Sequence, residues 1–218
     1  MIAQANPDGL IKLAIMAVGG QGGGVLTNWI EVLTRSQGYA VQATRVAGVA
    51  QRRGATIYYV EMVPKTEVVP VFALAPAAGD VDILIAAELM EAGRAIQRGF
   101  VTPDRTTLVA SSHRALAVSE KMVPGDGISD PNDVIAAASS MAQRLVFLDA
   151  ELIAVRNGSA ISAALFGALA GADALPFPVS AFEAAIRNSG KGADTSILAF
   201  IDAEKSHVWV ARNWRGFT

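Results

Sequence analysis

Five glycines surround one glutamine in the run Gly19-Gly20-Gln21-Gly22-Gly23-Gly24 near the start of the chain. The run follows a near-continuous apolar segment, Leu10–Val18, which reads as a buried parallel strand. It precedes Val25–Gln37, where Val25, Leu26, Trp29, Ile30, Val32 and Leu33 recur at helical spacing and Gly38 closes the helix. A glycine turn between strand and helix offers free backbone N–H groups beside the positive end of the helix dipole, which suits a phosphate or pyrophosphate. Gly20, Gln21, Gly22 and Gly23 are therefore candidate cofactor-binding residues. The spacing is not G-x-G-x-x-G, because Val25 takes the place of the last glycine counted from Gly20 and Gly22, and no Gly-Lys-Ser/Thr follows. Thr44 and Arg45 stand where a ribose-binding acid would end the second strand, which argues against NAD or NADP. The same glycines would also permit a tight turn and close helix-to-sheet packing with no ligand. Both readings stay open.

A second loop, Val46–Ala55 (VAGVAQRRGA), sets Gln51, Arg52 and Arg53 among small residues directly before a strand. The planar fork of either arginine suits a phosphate or carboxylate, although such a loop is as readily solvated or paired with a partner subunit. Glu88 follows the short apolar run Val81–Ala86, at the carboxyl end of a strand where α/β sheets place ligand contacts. An acid near a helix N-terminus is equally favoured by the dipole alone. His113 follows a strand-like segment in the same way, but no Ser–His–acid order accompanies it, and catalytic residues stay unassigned. Gly125-Asp126-Gly127 with Asn157 downstream loosely matches the thiamine-diphosphate fingerprint. Pro124 and Ser129-Asp130-Pro131 surround it with turn formers, and the GDG is read as a turn.

Composition narrows the classes. The chain has 218 residues, 52% of them apolar, enough for a real core. Lys and Arg total 18 against 20 Asp and Glu, so no global positive field draws it to nucleic acid or anionic lipid. Cysteine is absent, which excludes disulfides and any Fe–S cluster held by this chain's own thiolates. His113 and His207 lie far apart and outside any metal-ligand spacing, so no metal site is expected. No apolar run reaches the roughly twenty residues that span a bilayer, and the N-terminus, with Asp8, does not read as a signal peptide. The expected location is the cytoplasm.

Around the glycine turn, Tyr39–Thr44, Thr56–Val63, Val81–Ala86, Thr107–Ser111 and Arg144–Leu148 read as further strands, and Glu88–Arg98 as a helix. Ser159–Ala170, Val179–Asn188 and Ala193–Glu204 read as helices, before the strand-like HVWVARNW. The Ala- and Gly-rich helix Ser159–Ala170 is small enough to pack closely on a neighbour, inside the domain or across an interface. The expected fold is a three-layer α/β/α with a mostly parallel or mixed central sheet. It forms a single domain, an α/β core over about 10–148 and a mainly helical part over about 149–218, open to being the N-terminal portion of a longer chain.

Five stretches in order, AVGGQGGG, VAQRRGAT, DVDILIAAELMEAGR, AVRNGSAISAALFGALAG and FEAAIRNSGKGADTSILAFIDAE, together resemble the γ component of 2-oxoacid:acceptor oxidoreductases over nearly the whole chain. Within that family they are most similar to the small subunit of the indolepyruvate enzymes. Relatives commonly carry a glycine pair in the second loop, where this chain has Arg52-Arg53-Gly54. The resemblance implies a part of an enzyme that decarboxylates an arylpyruvate on thiamine diphosphate and passes electrons to ferredoxin, forming an acyl-CoA. Thiamine diphosphate, magnesium and the Fe–S clusters would belong to a larger partner subunit, and ferredoxin would be reached through it. Coenzyme A would lie near Gly20, Gln21, Gly22, Gln51, Arg52 and Arg53. This chain alone is expected to be inactive. A free-standing CoA- or nucleotide-binding module is the alternative, and a homo-oligomer stays open.

Overall fold

A computed structural model describes residues 9–46, 56–68, 70–114, 130–190, 192–206 and 209–211. Its centre is a seven-stranded mixed sheet built from β1 (Ile11–Ala17), β2 (Tyr39–Val46), β3 (Thr56–Pro64), β4 (Ile83–Ala86), β5 (Thr107–Ser111), β6 (Arg144–Leu148) and β7 (Trp209–Ala211). The spatial order is β2-β3-β1-β4-β5-β6-β7. Strands β1, β4, β5 and β6 run parallel, in the registers Ala14↔Leu84, Leu84↔Leu108 and Leu108↔Leu145. β3 pairs antiparallel with both β1 and β2, and β7 antiparallel with β6.

The apolar runs of the central strands are buried on both faces, as expected for strands covered by helices above and below. In β1 the alternation sends Leu13 and Ile15 to one hydrophobic core and Ala14 and Met16 to the other. The first core is roofed by α1 (Gly23–Ser36), α4 (Ala150–Arg156), α5 (Ile161–Gly171), α6 (Val179–Arg187) and α7 (Ala193–Lys205). The second lies under α2 (Leu89–Gln97) and α3 (Pro131–Met141). These are the three layers expected from the sequence.

The helical C-terminal part belongs to the core of the first layer. Helix α5 is buried from Ile161 through Ala170, and Phe166 sits among Trp29, Phe182 and Phe200 at centroid separations of 5.7, 4.8 and 5.9 Å. A Cβ at Gly167 would collide with the carbonyl oxygen of Phe200, and one at Gly171 would stand 2.7 Å from that of Glu204. The small residues of α5 therefore serve contact with α7 inside the fold. One reading needs correction: Ser129-Asp130-Pro131 ends in a helix start. Asp130 caps α3 by accepting from Asn132 N at 2.8 Å, and Pro131 takes the first helical position, where a missing N–H costs nothing. The GDG at 125–127 lies outside the described residues. Among the described residues no single helix is long and apolar enough to cross a membrane.

Candidate functional site

The helix after β1 covers one face of the sheet and the helix after β4 the other, although β1 and β4 are neighbours. The chain thus diverges at their carboxyl ends and leaves a crevice, the usual ligand position in open α/β sheets. The glycine run fills that place. Gln21 N donates to Val18 O at 3.1 Å, closing a turn in which Gly20 has φ +93°. Only glycine accepts such a conformation cheaply. The Gln21 side chain locks the turn, accepting from Val18 N at 2.8 Å through Oε1.

The glycines divide into two kinds. A Cβ at Gly23 would lie 2.5 Å from the Tyr58 ring and 3.0 Å from Ala17 Cβ, so this glycine lets α1 lie against the sheet. Gly22 caps α1 in the left-handed region at φ +71°, and its Cβ would meet Ser162 Oγ at 3.0 Å. Nothing lies within 4 Å of a Cβ at Gly19 or Gly20. The packing role therefore accounts for Gly22 and Gly23, while Gly19 and Gly20 keep space open.

That space is a cleft of about 410 Å³. Gly19, Gly20 and Gln21 form one wall, and His113, Glu151 and Ser159 contribute polar groups from elsewhere. Ser111, at the end of β5, ties the far wall together, its Oγ accepting from His113 N at 3.3 Å and from Ala150 N at 3.2 Å. Asp149 caps α4 by accepting from Leu152 N at 2.9 Å, and Gly158, at φ +61°, turns the chain toward α5. His113 and Glu151 bring an imidazole and a carboxylate to one cleft. The arrangement can bind and orient a polar ligand through backbone N–H groups and the Gln21 amide. Among the described residues, Gln21 Nε2 has no hydrogen-bond partner.

The structure brings Gly20 and Gln21 together at this cleft and sets Gly22 and Gly23 just behind it, in packing. Glu88 is buried and caps α2, its Oε2 accepting from Met90 N at 3.2 Å, and it does not line the cleft. Gln51, Arg52 and Arg53 lie outside the described residues. Asn157 is occupied structurally, its Nδ2 donating to Ile153 O at 2.9 Å and to Asp202 Oδ2 at 2.8 Å. Sequence reasoning missed Glu151 and Ser159 in the cleft, and the buried Glu91 away from it. Glu91 is fully buried and ion-paired with Arg94, and burial raises its pKa while Arg94 partly opposes the shift.

Comparison with known proteins gives a family match and a shared fold. Residues 12–204 match the family described as pyruvate ferredoxin/flavodoxin oxidoreductase. The pyruvate oxidoreductase subunit PORC of Thermotoga maritima superposes with a TM-score of 0.61 at 15% identity, covering 89% of this chain and 95% of that one. The gamma subunit of a keto/oxoacid ferredoxin oxidoreductase from Geobacter sulfurreducens gives 0.54 at 16% identity, with 90% and 94% covered. The 2-oxoglutarate:ferredoxin oxidoreductase of Magnetococcus marinus, solved with 2-oxoglutarate, coenzyme A and succinyl-CoA, gives 0.56 at 12% identity. That match covers 89% of this chain and 30% of the other. Among curated protein sequences there is no significant match.

Proposed function

The chain belongs to the pyruvate ferredoxin/flavodoxin oxidoreductase family, and we propose that it is the γ-type subunit or domain of a 2-oxoacid:ferredoxin oxidoreductase acting on indolepyruvate or another arylpyruvate. In this reading a larger cytoplasmic partner carries thiamine diphosphate, magnesium and Fe–S clusters and hands electrons to ferredoxin. This chain has no cysteine for a cluster, and Asn157 is already committed to Asp202 and Ile153. It supplies a binding wall for coenzyme A.

The observation that carries the reading is the open glycine turn at the crevice between β1 and β4. Gly19 and Gly20 put no side chain of their own into the cleft, so the backbone N–H of Gly20 and the Gln21 amide are the groups that would hold an anionic portion of CoA. In this reading Arg52 and Arg53 add positive charge and Gln51 a neutral amide, while Glu88 caps α2. Glu151 in the same cleft disfavours a second anion beside it, which limits where the phosphates can sit. His113, in the same cleft, would orient the polar remainder. Redox chemistry itself belongs to the partner.

The deciding assay is dye reduction by an arylpyruvate with CoA, run with this chain, with the partner, and with both. Turnover is expected only with both. Robust turnover by this chain with added thiamine diphosphate and magnesium would overturn the subunit reading, and full activity of the partner alone would favour a free-standing binding module. Gly19→Leu sharpens the test, because it fills the cleft without requiring positive φ. It should leave thermal stability unchanged and reduce CoA binding about tenfold or more, the loss of one charge-assisted contact set. Unchanged calorimetric affinity would remove the glycine turn from the CoA site.

A further inference from the structure

The lateral border of the sheet at β2 is open. Among the described residues β2 has β3 on one side and no strand on the other. Its register with β3 runs unbroken from Tyr39↔Pro64 to Val46↔Ile57, and one step beyond it Lys65 N donates to Gly38 O at 3.1 Å. Antiparallel partners alternate between pairs that exchange backbone bonds and pairs that do not. The Gly38–Lys65 bond therefore assigns the bonded pairs to the even residues of β2, and Tyr39, Val41, Ala43 and Arg45 direct their backbone groups outward. Pro64 agrees with this, because it stands opposite Tyr39, where no N–H is called for. Among the described residues only Arg35 reaches the outward row, donating through Nη2 to Val41 O at 3.4 Å, and its side chain is 58% exposed.

An open row of this kind templates pairing with another chain, and monomeric proteins defend it with proline, lysine or a bulge. β2, with the sequence YAVQATRV, has none of these and a single charge, Arg45. The sheet face beside it is finished in an unusual way. Helices α2 and α3 lie over β1, β4, β5 and β6, whereas β2 and β3 carry on that face a strap, residues 70–78. Gln42 Nε2 donates to Ala73 O at 3.2 Å, Thr44 Oγ1 to Leu74 O at 2.8 Å, and Ala73 N to Oε2 of the buried Glu61 at 2.7 Å. The strap is thus fixed by its backbone, and its Val71 and Leu74 side chains are 97% and 73% exposed. No charged residue occurs from Val68 to Ala78. Exposed apolar side chains on a held backbone, with charge excluded, have the composition of an interface core.

We propose that β2 pairs antiparallel with β2 of a second copy of this chain across a two-fold axis, joining two seven-stranded sheets into one and covering Leu74 at the seam. The open row calls for a strand with an open row of its own, and a second copy brings one. A two-fold axis sets the two antiparallel and gives each outward N–H an acceptor. The register that uses all four outward residues pairs Tyr39 of one copy with Arg45 of the other and Val41 with Ala43, and it sets Gln42 on the axis opposite itself. Arg45 then faces Tyr39 and not a second Arg45, so no like charges are opposed. Arg35 gives up its long bond to Val41 O and turns to solvent, where it keeps Glu31 at 3.1 Å. Strands β3 and β1 separate the seam from the crevice between β1 and β4, so pairing leaves the glycine cleft open.

The test uses the full chain. Sedimentation velocity should return twice the mass of one chain. Ala43→Pro should weaken association about tenfold or more, because it removes an outward N–H from each copy and leaves the bonds to β3 in place. Its circular dichroism should match the parent's. Leu74→Lys, at an exposed position that leaves the fold intact, should weaken association in the same direction. Because cysteine is absent, Gln42→Cys supplies a single thiol. On the axis its Cα stands about 4.5 Å from its mate, the spacing of a pair without backbone bonds, which lies within the range of a disulfide. Mild oxidation should give a covalent dimer, and Ala40→Cys, opposite Thr44 in this register, should not. A monomer at every concentration, a dimer indifferent to both Ala43→Pro and Leu74→Lys, or cross-linking of Ala40→Cys as readily as Gln42→Cys overturns the proposal. None of these results bears on CoA binding or the dye assay, so this pairing and the subunit reading stand or fall separately.

Discussion

At the amino ends of β1, β4 and β5 charged side chains pair with one another, whereas at their carboxyl ends stand a glycine turn and helices without side-chain caps. On the amino side Arg105 donates to Asp82 at 2.7 Å through Nε and to Asp80 at 2.6 Å through Nη1, and Lys12 pairs with Asp80. The backbone joins in: Lys12 N donates to Asp82 Oδ2 at 2.8 Å, and Asp82 N to Lys12 O at 2.9 Å. Thr106, fully buried, donates to Val81 O at 2.9 Å and accepts from Thr102 N at 3.0 Å. One edge of the sheet is closed by its own residues, and the other carries the candidate site. Stability and function are thus separated along the strands.

Mutations at the two edges should fall on different observables. The largest expected effect is Asp82→Ala, which takes the acceptor from both Arg105 Nε and the Lys12 amide while Asp80 still pairs with Arg105. With side chains that are 10% and 23% exposed, the loss should be about 2–3 kcal/mol, below the full cost of breaking a buried pair. Urea unfolding would show it as a lowered midpoint with an unchanged slope, and a loss under half that size would mean the clamp is redundant. At the carboxyl edge, Gly22→Ala should cost about 1–2 kcal/mol, from the left-handed backbone and the approach to Ser162. Gly19→Ala should be neutral or stabilise by a few tenths of a kcal/mol, because nothing opposes its Cβ and the unfolded chain loses freedom. Equal effects at Gly19 and Gly22 would erase the distinction between open and packed glycines.

The smallest effect is in pH. Burial raises the pKa of Asp80, but Lys12 and Arg105 outweigh it and hold the group below 3.8, so its stabilisation is present above that value and is lost as pH falls through the folded pKa. Glu91, near the opposite edge, has a folded pKa raised above 4.5. The folded state therefore holds its proton more tightly, and stability declines as pH rises from about 4.5 through the folded pKa. Acidification from neutrality should first strengthen the fold slightly and then weaken it below 3.8. Glu91→Gln should flatten the first limb and leave the second, as read from thermal midpoints across the range.

The strands were legible because central parallel strands are long apolar runs ended by turn residues: Thr107–Ser111 and Arg144–Leu148 match β5 and β6 residue for residue. Helix α4 escaped notice because seven residues give too little periodicity, and α3 because Asp130-Pro131, which begins a helix, uses the same residue types as a turn. The insertion of β3 between β1 and β2 depends on pairing across dozens of residues, which no local pattern encodes. At the site, the glycine turn announced itself. Its far walls, His113 after β5 and Glu151 to Ser159 around α4, come from chain segments roughly a hundred residues away and meet it only when the sheet closes.

The contact between α5 and α7 carries a further meaning for how the molecule breathes. Gly167 and Gly171 let two helices touch backbone to backbone, with no side chain that could swing aside to admit solvent. The interior amides of α5 should therefore exchange with heavy water only when the whole chain unfolds, while helices with an outer face, such as α2 and α3, exchange through smaller openings. Because α5 begins at Ile161, against the cleft, the wall on that side rests on one of the slowest-exchanging parts of the protein, and a ligand arriving there meets a surface already set.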